Sequence, residues 1–446
     1  MPLCFLYTTL MRDVISVIGG GLAGSEAAWQ IARQGAKVRL FEMRPVRPTA
    51  AHRTDRLAEI VCSNSLKSDQ PHNASWLLKE ELRRLGSILM QAADSVRVPA
   101  GSALAVDRER FASRVTEVIS GEPNIELIRE EVLEIPKQGV VIVASGPLTS
   151  ASLSESIRQF CDSRHLYFYD AISPIVDADT IDRSKTYRAS RYGKASDDYV
   201  NCPMDQRQYD AFYSAVISAE SVPMHDFEEA CYFESCLPIE ELARRGRDTL
   251  RFGPMRPVGL VDPVTGYAPY AVVQLRQEDL MESSYNIVGF QNHLKFPDQK
   301  RILRMIPGLE NAEFLRLGQI HRNTYINAPQ ILMPTMAARR DPRVFFAGQL
   351  AGTEGYIENV ASGLVAGINA VRYMRGEEPR IMPAETAIGA LCRYVSTPQK
   401  HFAPMNINFG LLPPVDFPRR TAKMDKHRML CERALELCRS ASTSTA

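Results

Sequence analysis

Nine cysteines are scattered along the 446 residues, at positions 4, 62, 161, 202, 231, 236, 392, 431 and 438. None forms a C-x-x-C pair, so neither a zinc site nor a thioredoxin-type dithiol is predicted, and no metal is expected. An odd number of thiols in a long chain also argues against a secreted disulfide framework, so reduced thiols are expected. A cysteine taken at random is most often a small buried apolar residue, and Cys202 and Cys231 are read that way. Cys62, in Val-Cys-Ser-Asn-Ser, and Cys236, in Phe-Glu-Ser-Cys-Leu-Pro, stand beside polar, loop-prone residues instead. A loop thiol that ionises is a nucleophile.

A second chemistry is legible in residues 14–42, VISVIGGGLAGSEAAWQIARQGAKVRLFE. A β-branched run at 14–18 suits a buried strand. Gly19, Gly21 and Gly24 then spell G-x-G-x-x-G, and a helical pattern with Ala27, Ala28 and Ile31 on one face closes at Gly35. A second strand at 38–41 delivers Glu42. Such an order holds a dinucleotide: the first glycine makes the turn, the second admits the pyrophosphate, and the third lets helix pack on strand. The free N–H groups and dipole of the helix start favour phosphate. Gly19, Gly20, Gly21, Leu22, Ala23 and Gly24 are the predicted cradle, and Glu42 is predicted to accept hydrogen bonds from the ribose hydroxyls.

The elements that must position these groups follow in order. Residues 57–61 read as one helical turn before Cys62, 74–93 as a single amphipathic helix, and Asp107 as the N-cap of another. Short strands are expected at 125–128 and 132–135. A longer apolar strand, 140–147, returns the chain to the sheet beside the cofactor and favours FAD over NAD as the occupant. From about 165 to 325 the texture becomes aromatic-rich, with helices expected at 206–218 and 239–245 and strands at 270–274 and 285–290. That is the pattern of an α+β unit inserted in the first. No second G-x-G-x-x-G occurs there, so no separate nicotinamide-nucleotide domain is predicted. Strand 344–347 then leads into Gly348, Gly352, Gly355 and Tyr356, a glycine-rich start to another helix. The predicted units are 12–165, 166–325 and 326–446, the last ending in a modestly basic, partly helical tail.

Composition is that of an ordinary globular protein, 45% hydrophobic and 24% charged, with a net charge of +1. That balance argues against a protein that coats polyanions but allows a local basic face. The apolar run before Met11 is too short to span a membrane and lacks the basic start of a signal peptide. A cytoplasmic protein, with Met11 as the natural start, is expected.

Many segments carry a resemblance over nearly the whole chain: GGGLAGSEAAW, LFEMRP, AEIVCSNS, VPAGSALAVDRERF, RYGKASDDYVNCPM, FESCLPIEELARRG, FGPMRPVGLVDP, AVVQLRQED, GLENAEFLRLGQIHRNTYINAP and FAGQLAGTEGYIENVASGLVAGINA. Together they resemble the folate- and FAD-dependent tRNA (uracil-5-)-methyltransferase family, which is related to the longer GidA-type flavoproteins. The resemblance implies an α/β protein with a Rossmann-like FAD-binding domain of the glutathione-reductase or GidA type and an inserted α+β domain. It also implies FAD as cofactor, methylenetetrahydrofolate as carbon donor, NAD(P)H as reductant, and the T-arm of tRNA as the RNA partner. The same chemistry on a uridine of 23S rRNA, or a non-catalytic RNA-binding flavoprotein, are the alternatives.

Within that resemblance Cys236 is the expected nucleophile toward C6 of the uracil. Cys62 is the second catalytic thiol, acting as base or as guard of the flavin, and the residues leave open which thiol does which. His321 is expected to stack on the folate, with Arg322 and Asn323 beside it, and Tyr356 to stack on the flavin near Gly348 and Gly355. For RNA, Arg244, Arg245, Arg247, Lys295, Lys300, Arg339 and Arg340 are the candidate basic face.

Overall fold

The computed structural model describes residues 14–443, apart from residues 50, 163–165, 172, 194–197, 223–236, 280, 319, 400–401, 416 and 418–420. Side chains of strands 166–171 and 320–324 are likewise outside the description.

The chain opens as its pattern predicts: β1 (Val14–Ile18), α1 (Leu22–Arg33) and β2 (Lys37–Phe41), with Gly35 at φ +75° just past the helix. After a long loop come β3 (Ser65–Ser68), α2 (Ala74–Arg84), α3 (Ile88–Ser95), β4 (Arg97–Val98), β5 (Ala103–Val106), α4 (Arg108–Gly121), β6 (Ile125–Ile128), β7 (Val141–Val143) and α5 (Ala151–Cys161). Asp107 does cap α4, its carboxylate accepting the Arg110 N–H.

Three local expectations need correction. The single helix over 74–93 is two, because Gly86 takes φ +73° and Ser87 restarts the backbone by accepting the Met90 N–H. A glycine in that conformation ends a helix more cheaply than any residue with a Cβ. Residues 57–61 form a turn with Ala58 at φ +51°, not a helix. Residues 132–135 pair with no strand, and the apolar run at 140–147 is strand only over Val141–Val143.

Next come β8 (Leu166–Ala171), β9 (Ile175–Asp177), β10 (Tyr187–Arg188), β11 (Tyr199–Met204), α6 (Gln206–Ser218), α7 (Ile239–Arg244), α8 (Thr249–Phe252), β12 (Ala271–Gln277), β13 (Ser284–Ile287), α9 (Phe296–Leu303), β14 (Phe314–Arg316) and β15 (Ile320–Tyr325). The chain closes with α10 (Ala328–Ile331), β16 (Val344–Phe346), α11 (Tyr356–Met374), α12 (Ala387–Ser396) and α13 (Lys423–Thr443).

The first sheet is parallel in the order β16-β7-β1-β2-β6. Its strands β7 and β16 bury both faces, which is why they read as continuous apolar runs, whereas β2 and β6 toward the other edge are only partly buried. A separate six-stranded sheet, β10-β11-β12-β13-β9-β14, is antiparallel. The apolar side chains form two cores to match. One draws on residues up to Ile157 and from Ile326 onward, and the other runs from Val176 to Ala312. The parallel sheet is therefore finished by chain that follows the antiparallel one. No helix among the described residues is long and apolar enough to cross a membrane.

Candidate active site

At the carboxyl ends of β1, β2, β7 and β16 the structure opens into a cavity of about 340 Å³. Gly19, Gly21, Leu22, Ala23 and Glu42 line one part of it, and Cys62, Gly348, Gly355 and Tyr356 another. An open α/β sheet presents its ligand crevice at this edge.

The glycines divide the work. Gly19 turns at φ +105°, and a Cβ there would stand 2.5 Å from the Ala144 carbonyl at the end of β7. A Cβ on Gly24 would stand 1.8 Å from the Gly19 carbonyl, so α1 packs this closely only without one. At Gly21 the same construction meets nothing within 4 Å. The space is the cavity itself, as expected where backbone must approach a ligand. Gly20 and Gly24 support the turn and are not on the cavity wall; Gly20 donates its N–H to Glu42 Oε2 at 3.0 Å.

Glu42 is more occupied than its predicted ribose role suggests. Oε1 accepts the N–H of Arg44 at 3.0 Å and its Nε at 2.9 Å, while Oε2 takes Gly20 and Arg44 Nη2. Burial alone raises this carboxyl, but the hydrogen bonds and charge of Arg44 outweigh it and hold the group below the usual carboxylate range. Glu42 is thus a fixed anion on the wall.

The C-terminal glycine unit arrives from the opposite side. Gly348 and Gly355 take φ +76° and +107°, and Gly355 caps α11 without a side chain. A Cβ on Gly363 would stand 2.2 Å from the Ala23 carbonyl, and one on Gly367 2.7 Å from the Ala27 carbonyl. Small residues therefore let α11 lie directly on α1. The two helix N-termini converge on one cavity, with unsatisfied N–H groups and partial positive charge facing a common occupant. Beside Gly355, Lys67 Nζ donates to the buried Glu358 Oε1 at 2.6 Å and to Asn406.

Cys62 is held at the Tyr356 end. The Tyr356 hydroxyl accepts the Cys62 N–H at 2.8 Å and the Ser63 N–H at 3.2 Å. Burial, then proximity to Cys62, pushes this phenol well above its ordinary value, so it stays neutral. Three guanidiniums grip the same loop. Arg108 donates to the carbonyls of Ile60 and Val61 at 3.0 and 2.9 Å while paired with Glu278. Arg316 donates to the Val61 carbonyl at 2.8 Å, and Arg276 to Asn64 Oδ1 and Ser63 Oγ, both at 2.7 Å. Burial, then repulsion from Arg108, pushes Arg316 down to about 10. Arg108 and Arg316 thus stand as neighbouring cations on the backbone that carries Cys62.

The remaining candidates are less assembled. His321, Arg322 and Asn323 lie on β15, in register with Asp170, Tyr169 and Phe168 of β8, and their side chains are outside the description. Cys236 and Cys231 lie outside the described residues. Cys202 is fully buried, and burial raises its thiol to about 12. Of the expected basic face, Arg244 pairs with Glu241, Arg247 with Asp210 and Lys295 with Glu220. Arg339 and Arg340 donate to the Ser396 and Phe160 carbonyls. Among the described residues no group of three or more His, Cys, Asp or Glu is placed to hold a metal.

Arg108, Arg276 and Arg316 were missed by sequence reasoning. Each stands in a segment that carries the resemblance, DRERF, QLRQED and EFLRLGQ, but nothing local marks a guanidinium that will close on a distant loop.

The family model described as Glucose inhibited division protein A matches residues 14–378. The methylenetetrahydrofolate–tRNA-(uracil-5-)-methyltransferase TrmFO of Solibacter usitatus is 58% identical over 435 residues, covering 96% of this chain and 98% of that protein. The chain belongs to this methyltransferase family. Proteins of the same name from Geobacter sulfurreducens and Moorella thermoacetica are 57% and 55% identical, covering 95% and 97% of this chain and 98% and 99% of theirs. Among solved structures, GidA of Aquifex aeolicus superposes with a TM-score of 0.71 at 20% identity, over 97% of this chain and 74% of that one. This chain thus shares the GidA fold, as the expected α/β protein with an inserted α+β domain implied.

Proposed function

We propose that the chain is a methylenetetrahydrofolate–tRNA-(uracil-5-)-methyltransferase, with FAD resident and NAD(P)H as reductant, and that its target is the T-loop uridine that becomes ribothymidine. The observation that carries the reading is Cys62 on the wall of a two-helix dinucleotide cavity, in a chain 54–58% identical over nearly its full length to methyltransferases of that name. The residues fit a flavin dinucleotide. Gly21 leaves open the space a Cβ would fill, α1 offers N–H groups to the diphosphate, and α11 brings a second N-terminus toward the flavin end.

Bound and reduced, FAD supplies the hydride that completes the methyl group. The protein must do the rest. C5 of uracil is a weak nucleophile until a thiolate adds to C6, and Cys236 is assigned that role. The C5 proton must later leave, and Cys62, on the loop gripped by Arg108 and Arg316, is assigned as its acceptor. Tyr356 fixes the backbone of that thiol. His321, Arg322 and Asn323 are assigned to the folate. The uridine must first be drawn out of the folded T-loop, at a cost of a few kcal/mol.

Transfer of label from methylenetetrahydrofolate to a T-arm transcript is the test. Wild type should label the transcript, and Cys236→Ala and Cys62→Ala should not. Full activity in Cys236→Ala moves the nucleophile elsewhere. Labelling of a 23S rRNA fragment without the T-arm overturns the tRNA assignment.

A further inference from the structure

The antiparallel sheet has one apolar and one polar face. Along β12, Ala271, Val273 and Leu275 enter the second core, so Val272, Gln274 and Arg276 face the other way. Cross-strand register sets two polar rows there: Tyr187, Asn201 and Gln274, then Tyr199, Arg276 and Asn286. The second row reaches the active site, because Arg276 grips Ser63 and Asn64. The first row carries Arg191, whose Nε donates to Gln274 Oε1 at 3.0 Å and Nη1 to the Val258 carbonyl at 2.7 Å. Gln274 and Arg276 are two residues apart on one strand, about 7 Å.

Beyond Arg191 the surface changes character. Phe252, Val258, Val261, Val264 and Tyr267 are exposed apolar side chains within one 16-residue segment, the last two 88% and 77% exposed. Tyr192 leans on this segment: its N–H donates to the Gly259 carbonyl at 2.8 Å, and a Cβ on Gly259 would stand 3.0 Å from its ring. Tyr192 holds φ +61°, which costs a residue with a Cβ about 1 kcal/mol or more. The outcome of that strain is a ring 60% exposed. After burial, the charge of Arg256 is the next influence lowering the ionisation of Arg191, so the two cations are neighbours. Arg256 forms no ion pair with a described residue. The one acid of segment 252–267, Asp262, is buried and accepts the Val264 N–H.

We infer that Arg191, Tyr192, Arg256 and segment 252–267 form a docking face for the RNA substrate, the guanidiniums taking backbone phosphates and the exposed tyrosines stacking on unpaired bases. Charge decides between occupants. Adjacent cations that pair with no described acid repel each other until a polyanion arrives, and arginine interleaved with exposed aromatic rings is the composition that grips unstacked RNA. A second copy of the chain would bring the same two cations to the interface. Continuity along β12 places the face on the same strand side as the grip on the Cys62 loop, two residues away. The inference rests on the tRNA reading above and adds the surface that reading lacked.

Filter binding of an unmodified tRNA transcript to the FAD-loaded enzyme tests it, with Arg256→Glu and Tyr192→Gly. Glycine suits the backbone at 192, so the second variant removes the ring without adding strain. Each should raise Kd about tenfold, and Arg256→Glu should lower the salt dependence by about one released ion. NAD(P)H bleaching of the flavin should match wild type. A Kd within about twofold of wild type in both variants overturns the docking face, as does a shift in sedimentation from dimer to monomer, which would give the face to a second copy. Wild type that fails to label a T-arm transcript undoes the functional reading; labelling by wild type with unchanged binding in the variants undoes the docking face alone.

Discussion

The phenolic oxygen of Tyr356 lies 2.8 Å from the backbone nitrogen of Cys62 and accepts its hydrogen. A residue at the first turn of α11 thus sets the position of a thiol loop 294 residues earlier. Tyr356→Phe keeps the ring and removes the acceptor shared by the Cys62 and Ser63 N–H groups. Unmade bonds at partly buried donors cost about 1–3 kcal/mol. The melting temperature should fall, and the loop should become more open to protease, while flavin content is kept. Unchanged melting would show that the loop is held by the arginines alone.

Arg316 spends ionisation energy to stand beside Cys62. Arg316→Met removes a cation from beside the Cys62 loop, and alkylation of Cys62 by iodoacetamide at neutral pH should slow by up to about tenfold. Quantifying the Cys62 peptide by mass spectrometry separates it from the other thiols. Equal rates would remove Arg316 from the thiol's environment.

Two glycines three residues apart should respond in opposite ways to alanine. Gly24→Ala drives a methyl into the Gly19 carbonyl, and overpacking of that kind costs typically 1–3 kcal/mol or more, so the apoprotein should melt earlier. Gly21→Ala meets no protein atom. It should melt as wild type without cofactor but bind FAD about tenfold more weakly or worse. A shared phenotype would contradict this division.

Two buried carboxyls predict how stability follows pH. Burial raises Glu26 to about 7 and Glu81 to about 8, from 4.5, against hydrogen bonds that favour the ion. Each is protonated in the folded chain where the unfolded chain is ionised, so each proton is released on unfolding. As far as these groups act, stability should be greatest and flat below about pH 4.5, and should fall as pH rises from there to about 7 for Glu26 and about 8 for Glu81. Above pH 8 their slope vanishes. Glu81→Gln, beside the Ala387 and Ile388 N–H groups, should flatten the melting temperature between pH 5 and 8. An unchanged slope would exclude Glu81 as a contributor.

Local chemistry made the fingerprint legible. Gly19, Gly21 and Gly24 sit within one turn, β1 and β2 flank them, and Asp107 announces its helix in the residues beside it. What stayed hidden was long-range. Arg276 meets Ser63 across 213 residues and Arg108 meets Glu278 across 170, and no periodicity encodes such a meeting. The break at Gly86 was local yet missed, because Leu82, Leu85, Ile88 and Leu89 keep helical spacing across it while Gly86 and Ser87 end one helix and start the next. The place of Glu42 on the cavity wall was legible from its position after β2, but its engagement by Arg44 depends on a rotamer that spacing does not specify.

The contact of Gly363 with Ala23 has a consequence for synthesis. When α1 leaves the ribosome, the helix that will cover it is still about 340 residues from being made, on the order of tens of seconds at about 5–20 residues per second. Through that interval Ala23, Ala27 and Ile31 present an apolar stripe with no lid, while the antiparallel unit between them can complete its own core. Nascent chains of this protein should therefore engage holding chaperones through their first helix, and be released when α11, Tyr356–Met374, arrives.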